Sequence, residues 1–271
     1  MGQKSMGPKN DPLGTTDSGP TDRLGLALLG YGKMGQLIAQ LAPQRGFELK
    51  LVLDIEENRN GQGITGDRFH GIDVALDFTQ PDAVVDNARR CAAVGCNLVV
   101  GTTGWYDRVE EVRKVVAGTS IGMVYAANFS IGVQLFYRLS RAAAEIFADF
   151  PMYQPYIHES HHRMKMDAPS GTAIELRRRV EPAVKGRELP VSSTRAGFIP
   201  GTHELGFDSE ADTVIVRHTA RSRQGFAEGA LYAARWVVGK RGLFTFADVL
   251  EEGAQATATQ SRGGERDKPA H

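Results

Sequence analysis

The chain has little cysteine: two residues, Cys91 and Cys96, in 271. Five apart and without a second pair, they match neither a common metal-ligand spacing nor a C-x-x-C redox motif, and read as reduced thiols in or near a helix. No run of about 18 apolar residues exists, which argues against a membrane-spanning helix. Net charge is also missing, since Lys+Arg and Asp+Glu both number 32. No overall field therefore draws nucleic acid or an anionic membrane. The first stretch, MGQKSMGPKNDPLGTTDSGPTDR, has no apolar core of the kind a secretory signal needs. Together these features lead us to expect a cytoplasmic protein.

What is present is periodic. Residues 1–22 and 253–271 are rich in Gly, Pro, Ser and Thr without hydrophobic spacing and are expected to be disordered. Between them, LGLALLG (24–30), LKLVLD (49–54), VALDFT (74–79), NLVVGTTG (97–104) and IGMVYAANF (121–129) read as short buried strands. They alternate with amphipathic helical stretches such as PDAVVDNARRCAAVG. Such alternation implies a parallel sheet covered on both faces. After Phe129 a long helix, SIGVQLFYRLSRAAAEIFADF, is followed by a histidine-rich stretch and a short helix at IELRRRV. Three β-rich segments (VSSTRAGFI, THELGFD, TVIVRHTA) then suggest largely antiparallel strands with one face free for another protomer. GFAEGALYAARWVVGK is a further helix, and GLFTFADVLEE is expected to return to the first domain as a terminal helix. The expected fold class is α/β: a Rossmann-like parallel-sheet domain (23–128 plus 240–252) with an inserted α+β domain (129–239) whose sheet is mixed and open.

Gly30-Tyr31-Gly32-Lys33-Met34-Gly35 is a G-x-G-x-x-G placed between a strand and a helix. Its glycines permit a tight turn and close approach of a pyrophosphate to the helix N-terminus. Asp54 ends the next strand about 20 residues on, where an acid meets the adenosine ribose. Because Ile55 and not a basic residue follows Asp54, the pattern leans towards NADH, although Arg59 lies near enough to allow NADPH. GTTG and AANF end later strands at the edge where ligands bind in such sheets.

PYIHESHHRMKMDAPSGTA (155–173) admits two chemistries. His158-Glu159-x-x-His162 matches the zinc signature H-E-x-x-H, with Glu175 or Glu181 conceivable as a third ligand. That reading needs a helix, yet Pro155, Tyr156 and Ile157 favour extended chain, and Lys165 stands poorly beside a dication. The metal-free reading uses His161 and His162 near neutrality, Lys165 as a fixed cation, and free N–H groups at Gly171 and Thr172 to hold a carboxylate. Thr172 and Glu175 fit a capping box there. The expected ligand is a small anionic substrate, with no metal. A dinucleotide-binding regulator without catalysis is a third possibility.

ESHHRMKMDAPSGTA (159–173) resembles the signature E-x-H-H-x-x-K-x-D-A-P-S-G-T-A of the 4-hydroxy-tetrahydrodipicolinate (dihydrodipicolinate) reductases at every fixed position. GYGKMG, DFTQP, GTTG, AANFSIGV, RAGFIPGTHEL and GLFTFADVL resemble further family segments in order, spanning Leu24 to Leu250. The resemblance implies hydride transfer from NADH or NADPH to a cyclic dicarboxylate in lysine and diaminopimelate biosynthesis, and commonly a homotetramer built through the second domain. It places His161 as proton donor and Lys165 as second catalytic residue. His162, Gly171 and Thr172 take the positions that hold substrate carboxylates. Gly30, Tyr31, Gly32, Lys33, Met34, Asp54, Gly101, Thr102, Thr103, Ala126, Ala127, Asn128 and Phe129 take those of cofactor contacts.

Overall fold

A computed structural model describes residues 23–253. The expectations for the N-terminal extension and for the tail beyond 253 lie outside those residues. The chain forms two compact units, one running up to Phe129 and resuming at Ala227, the other spanning Ser130–Phe226. The return to the first unit thus falls at Ala227, not near 240 as the sequence suggested, so most of the GFAEGALYAARWVV helix belongs to the first unit.

The first unit is built on a six-stranded parallel sheet in the order β10-β5-β4-β3-β1-β2. Its strands are β1 (Leu24–Leu29), β2 (Phe47–Leu53), β3 (Val74–Asp77), β4 (Asn97–Val100), β5 (Gly122–Tyr125) and β10 (Gly242–Thr245). The helices are α1 (Lys33–Leu41), α2 (Val84–Val94), α3 (Val109–Ala117) and α6 (Gln224–Val237). Leu26, Leu28, Leu76, Leu98 and Val99 have no exposed surface. Covered faces on both sides explain why these strands read as continuous apolar runs and not as alternations. Cys91 and Cys96 are free and buried in this core.

One element differs from expectation. GLFT is a strand, paired in parallel with β5, and helix begins only at 246. Four residues are too few for periodicity to separate strand from helix. Asp248 then closes the junction by accepting from the Thr245 N–H at 2.7 Å and its hydroxyl at 2.8 Å.

The second unit has α4 (Ile131–Phe147), β6 (Gln154–His161), α5 (Gly171–Val180), β7 (Val191–Arg195), β8 (Thr202–Asp208) and β9 (Thr213–Thr219). Its sheet order is β7-β6-β8-β9. β8–β9 is antiparallel, as expected, and so is β6–β8, but β7 runs parallel to β6, because α5 carries the chain back before it. Ser130 caps α4 by accepting from the Val133 N–H at 3.3 Å. One sheet face and α4 enclose Phe136, Ile157, Leu176, Leu205 and Phe207.

Candidate functional site

In the first unit, the three motif glycines do three different jobs. Gly30 has φ +88°, and a Cβ there would lie 2.5 Å from the Phe78 carbonyl. A Cβ on Gly35 would lie 2.3 Å from the Gly30 carbonyl, so α1 packs tightly on the turn. Gly32, at the N-cap of α1, would meet nothing within 4 Å. That is the division of labour a pyrophosphate requires: a tight turn, an open approach and close helix packing. No side chain caps the α1 N-terminus, whose N–H groups at Lys33 and Met34 begin the helix.

A cavity of about 580 Å³ opens beside this turn, lined among others by Gly30, Tyr31, Gly32, Asp54, Arg59 and Thr79. It lies where the strand order reverses, between β1, β2 and β3, the usual binding crevice of such sheets. The Asp54 carboxylate accepts from the Tyr31 N–H at 3.4 Å, and Arg59 pairs with Glu56. These residues fit a dinucleotide.

Some of the other motif residues also have contacts within the fold. Thr102 is buried; its hydroxyl donates to Asp77 Oδ1 at 2.9 Å and accepts from the Thr79 N–H at 2.8 Å. A Cβ on Gly101 would overlap the Phe78 ring at 2.2 Å. Thr103 and Ala127 are exposed, Ala126 and Asn128 half-buried, and the Phe129 ring packs 4.9 Å from that of Phe246.

Asp77 itself was not singled out from the sequence. Fully buried, it accepts from the Thr79 N–H and hydroxyl, from Thr102 and from Asn87 Nδ2, while Asn58 donates to Asn87 Oδ1 at 2.8 Å. Burial pushes its carboxyl above the usual range, against the pull of these donors.

In the second unit the histidine stretch settles as strand β6. Pro155, Ile157, Glu159 and His161 are buried, while His158 and Ser160 alternate with them. His158 and Glu159 therefore face opposite sides of a sheet, and the helix needed for H-E-x-x-H does not form. His158 is held by the hydroxyls of Ser192 at 2.9 Å and Ser160 at 3.0 Å. Glu175 pairs with Arg178 and Arg179, and Glu181 with Arg177, which uses up the other conceivable ligands. Among the described residues a different trio, Glu159, His161 and His203, brings ligand atoms within 4.8 Å of one another. Its carboxylate is already bound to Arg195 at 2.7 Å, a poor setting for a dication.

The residues that the sequence singled out for an anion site lie near one end of this sheet. His161 ends β6, 8% exposed. Its Nδ1 lies 2.6 Å from Glu159 Oε2, and a Cβ on Gly201 would lie 3.2 Å from its Nε2. Burial, with Lys165 and Arg195 nearby, lowers its affinity for a proton, and Glu159 opposes them. His162 follows in the loop, and its carbonyl accepts from the Lys165 N–H.

Lys165 is not a free cation. Its ammonium donates to both Asp167 oxygens, at 2.7 and 2.9 Å. Asp167 also draws on the Gly171 N–H, and Lys165 above all holds its carboxyl below the usual range. An anion thus already sits at the helix start where the sequence placed a substrate carboxylate. The cap differs too: Ser170, not Thr172, closes α5, accepting from the Ala173 N–H at 3.2 Å. Thr172 is one residue inside the helix, and its carbonyl accepts from Tyr137.

A Rossmann-like unit with a glycine turn that fits a dinucleotide, and a second unit with a mixed sheet, define a two-domain, dinucleotide-dependent oxidoreductase. Two family models match the chain: dihydrodipicolinate reductase, N-terminus, over residues 24–129, and dihydrodipicolinate reductase, C-terminus, over 132–250. The chain is 36% identical over 241 residues to a 4-hydroxy-tetrahydrodipicolinate reductase of Christiangramia forsetii, covering 84% of this chain and 98% of that one. It is 38% identical over 200 residues to the enzyme of that name from Chromobacterium violaceum, covering 66% and 74%. The fold matches the dipicolinate-bound dihydrodipicolinate reductase of Paenisporosarcina sp. TG-14 with TM-score 0.71 at 23% identity, covering 83% of this chain and 99% of that one. The chain belongs to the dihydrodipicolinate reductase family and is an NAD(P)H-dependent oxidoreductase.

Proposed function

We propose that the chain reduces 4-hydroxy-2,3,4,5-tetrahydrodipicolinate to 2,3,4,5-tetrahydrodipicolinate with His161 as proton donor and Lys165 as its catalytic cation. The reaction releases the ring hydroxyl as water, adds a hydride and takes up one proton. A reduced nicotinamide, when bound, supplies the hydride. Gly30 to Met34, Asp54, Gly101 to Thr103 and Ala126 to Phe129 form its binding edge in the first unit. Hydride addition builds negative charge on the ring, which an ammonium and an acid stabilise. His162 and the N–H groups of Gly171 and Thr172 take the substrate carboxylates, and dipicolinate in the Paenisporosarcina relative supports a dicarboxylate ligand. The second unit is read as the substrate and oligomerisation domain of a cytoplasmic homotetramer. No metal is needed for these steps.

The lean to NADH rests on Asp54. The cavity beside it also takes in Asp82 and Asp86, and Arg59 is engaged by Glu56. A 2′-phosphate meets repulsion there, a free hydroxyl a good acceptor.

The observation that carries the reading is the closeness of His161, Lys165 and the Gly171 turn around Glu159, Arg195 and Asp167. The test is an assay with freshly made hydroxy-tetrahydrodipicolinate and each cofactor in turn. We expect oxidation with a higher kcat/KM for NADH; no oxidation with either cofactor would reject the assignment. One equivalent of zinc in pure protein, with loss of turnover on its removal, would reject the metal-free mechanism.

A further inference from the structure

Glu159 takes no part in the steps above, yet it is a carboxylate with no exposed surface. A buried carboxylate is tolerated only where its lone pairs are answered by donors. Its two oxygens are answered differently. Oε1 accepts from Arg195 Nη2 at 2.7 Å, the Ser193 hydroxyl at 2.7 Å and the Ser170 N–H at 3.2 Å. Oε2 receives none of these and lies against His161 Nδ1 at 2.6 Å, with His203 Nε2 3.9 Å away. Strands β6, β7 and β8 and the cap of α5 all meet at this one group. Arg195 reaches further, donating to the Lys165 and Asp167 carbonyls at 3.3 and 2.5 Å.

We propose that Glu159, with Arg195 as its counter-charge, is a positioning residue that holds His161 with Nδ1 inward and Nε2 outward and sets how firmly that imidazole keeps its proton. The inference rests on reading His161 as the proton donor. A carboxylate at Nδ1 selects the Nδ1–H form of the neutral ring and leaves Nε2 to exchange the proton. It also favours the imidazolium, while each nearby cation disfavours it. The charged or titratable groups facing His161 are Glu159 on its own strand, Lys165 in the next loop, Arg195 on β7 and His203 on β8. His203 is kept neutral near pH 7, since burial brings it down to about 4. Its Nε2 sits 3.0 Å from the Ser170 hydroxyl. Lys165 is largely answered by Asp167. At His161 burial weakens the hold on a proton, the Glu159 carboxylate strengthens it, and the Lys165 ammonium and the Arg195 guanidinium, the latter fixed to Glu159 across β6 and β7, oppose Glu159.

The test begins with the unaltered protein. In nitrogen-15 spectra of the imidazoles, neutral His161 is expected to carry its proton on Nδ1; a proton on Nε2 would overturn the inference. Variants then follow the pH limb over which kcat falls as the donor loses its proton. Glu159→Gln should move that limb to lower pH by about one pH unit or more, and Arg195→Gln should move it to higher pH. Arg195→Lys should restore the parent profile. A merely structural role predicts loss of turnover in both without opposite displacements, so unmoved or parallel limbs sink the proposal. If Glu159→Gln fails to fold, the spectra of the parent and the Arg195 pair still decide it. Parental kcat in His161→Ala would instead sink the proton-donor reading, and the spectra would then report geometry alone.

Discussion

Asp77→Asn should leave the protein nearly as stable as its parent, whereas Asp77→Ala should cost about 2–5 kcal/mol. The difference follows from the direction of the hydrogen bonds. Three donors, the Thr79 N–H and the hydroxyls of Thr79 and Thr102, converge on Oδ1, which an asparagine oxygen replaces. Oδ2 accepts only from Asn87, which in turn accepts from Asn58, whose own Oδ1 is buried without a partner. In the asparagine variant this short relay can reverse: both neighbouring amides flip, and the unanswered atom becomes a nitrogen where it was an oxygen. The count of satisfied groups does not change. Alanine offers no such escape and strands the Asn87 amide and two hydroxyls, at about 1–3 kcal/mol for each unsatisfied group, less the relief of removing a buried charge. Urea unfolding followed by tryptophan emission reads the right unit, because Trp105 and Trp236 both lie in it and Trp105 donates to the Thr102 carbonyl. There is also a pH signature. The folded state raises the Asp77 pKa, so it binds the proton more tightly than the unfolded chain, and stability falls as pH rises from the ordinary carboxylate range through the raised value. Asp77→Asn should lack that slope. Equal damage from asparagine and alanine would refute the relay argument, and a harmless alanine would refute the network.

Asp167→Asn should lower the substrate KM by about 1.4–5-fold, because a half-exposed ion pair worth about 0.2–1 kcal/mol no longer competes for Lys165; steady-state kinetics showing a raised KM would count against Asp167 as an occupant of the anion site. His161→Ala should reduce kcat by about 10²–10⁴-fold and Lys165→Ala should also remove most turnover, each with unchanged NADH affinity by fluorescence titration. Gly30→Ala should abolish NADH binding and lower the unfolding temperature, since φ +88° costs a side chain about 1–2 kcal/mol before its Cβ meets the Phe78 carbonyl at 2.5 Å.

The parallel strands and the glycine turn were legible in the sequence because both report on crowding: apolar runs mark strands covered on two faces, and Gly30 and Gly35 sit where no side chain fits. The motif His161-x-x-x-Lys165 with Gly171 stood out in the sequence as a candidate site. Its wiring did not. Asp167 was given no role in the sequence, and only the structure shows it holding the Lys165 ammonium. Thr172 and Glu175 satisfied the spacing of a capping box, yet Glu175 is drawn to Arg178 and Arg179 and the cap moves to Ser170. Likewise β10 was hidden because four residues cannot display a period, and its pairing with β5 is decided by a strand more than a hundred residues earlier.

Asp77 was missed and Glu159 was weighed only within the zinc motif, for a shared reason, and they separate on a shared test. Each is an acid on the buried phase of a strand, where hydropathy expects a nonpolar side chain, and the sequence carries no mark of the donors that answer it. Around Asp77 every donor is neutral, and together they do not offset the cost of burial, so the carboxyl is raised. Around Glu159 burial acts in the same direction, but Ser193, Arg195, Ser170 and His161 outweigh it and hold the carboxyl at about 2. Shape is what Asp77 supplies; charge is what Glu159 supplies. An amide keeps the first and deletes the second. Asp77→Asn should therefore spare both stability and turnover, while Glu159→Gln should leave Arg195 without its counter-charge and displace the pH limb set by His161. Matching outcomes at the two sites would mean that the neighbours' charge, and not burial alone, has been misjudged as the deciding difference between them.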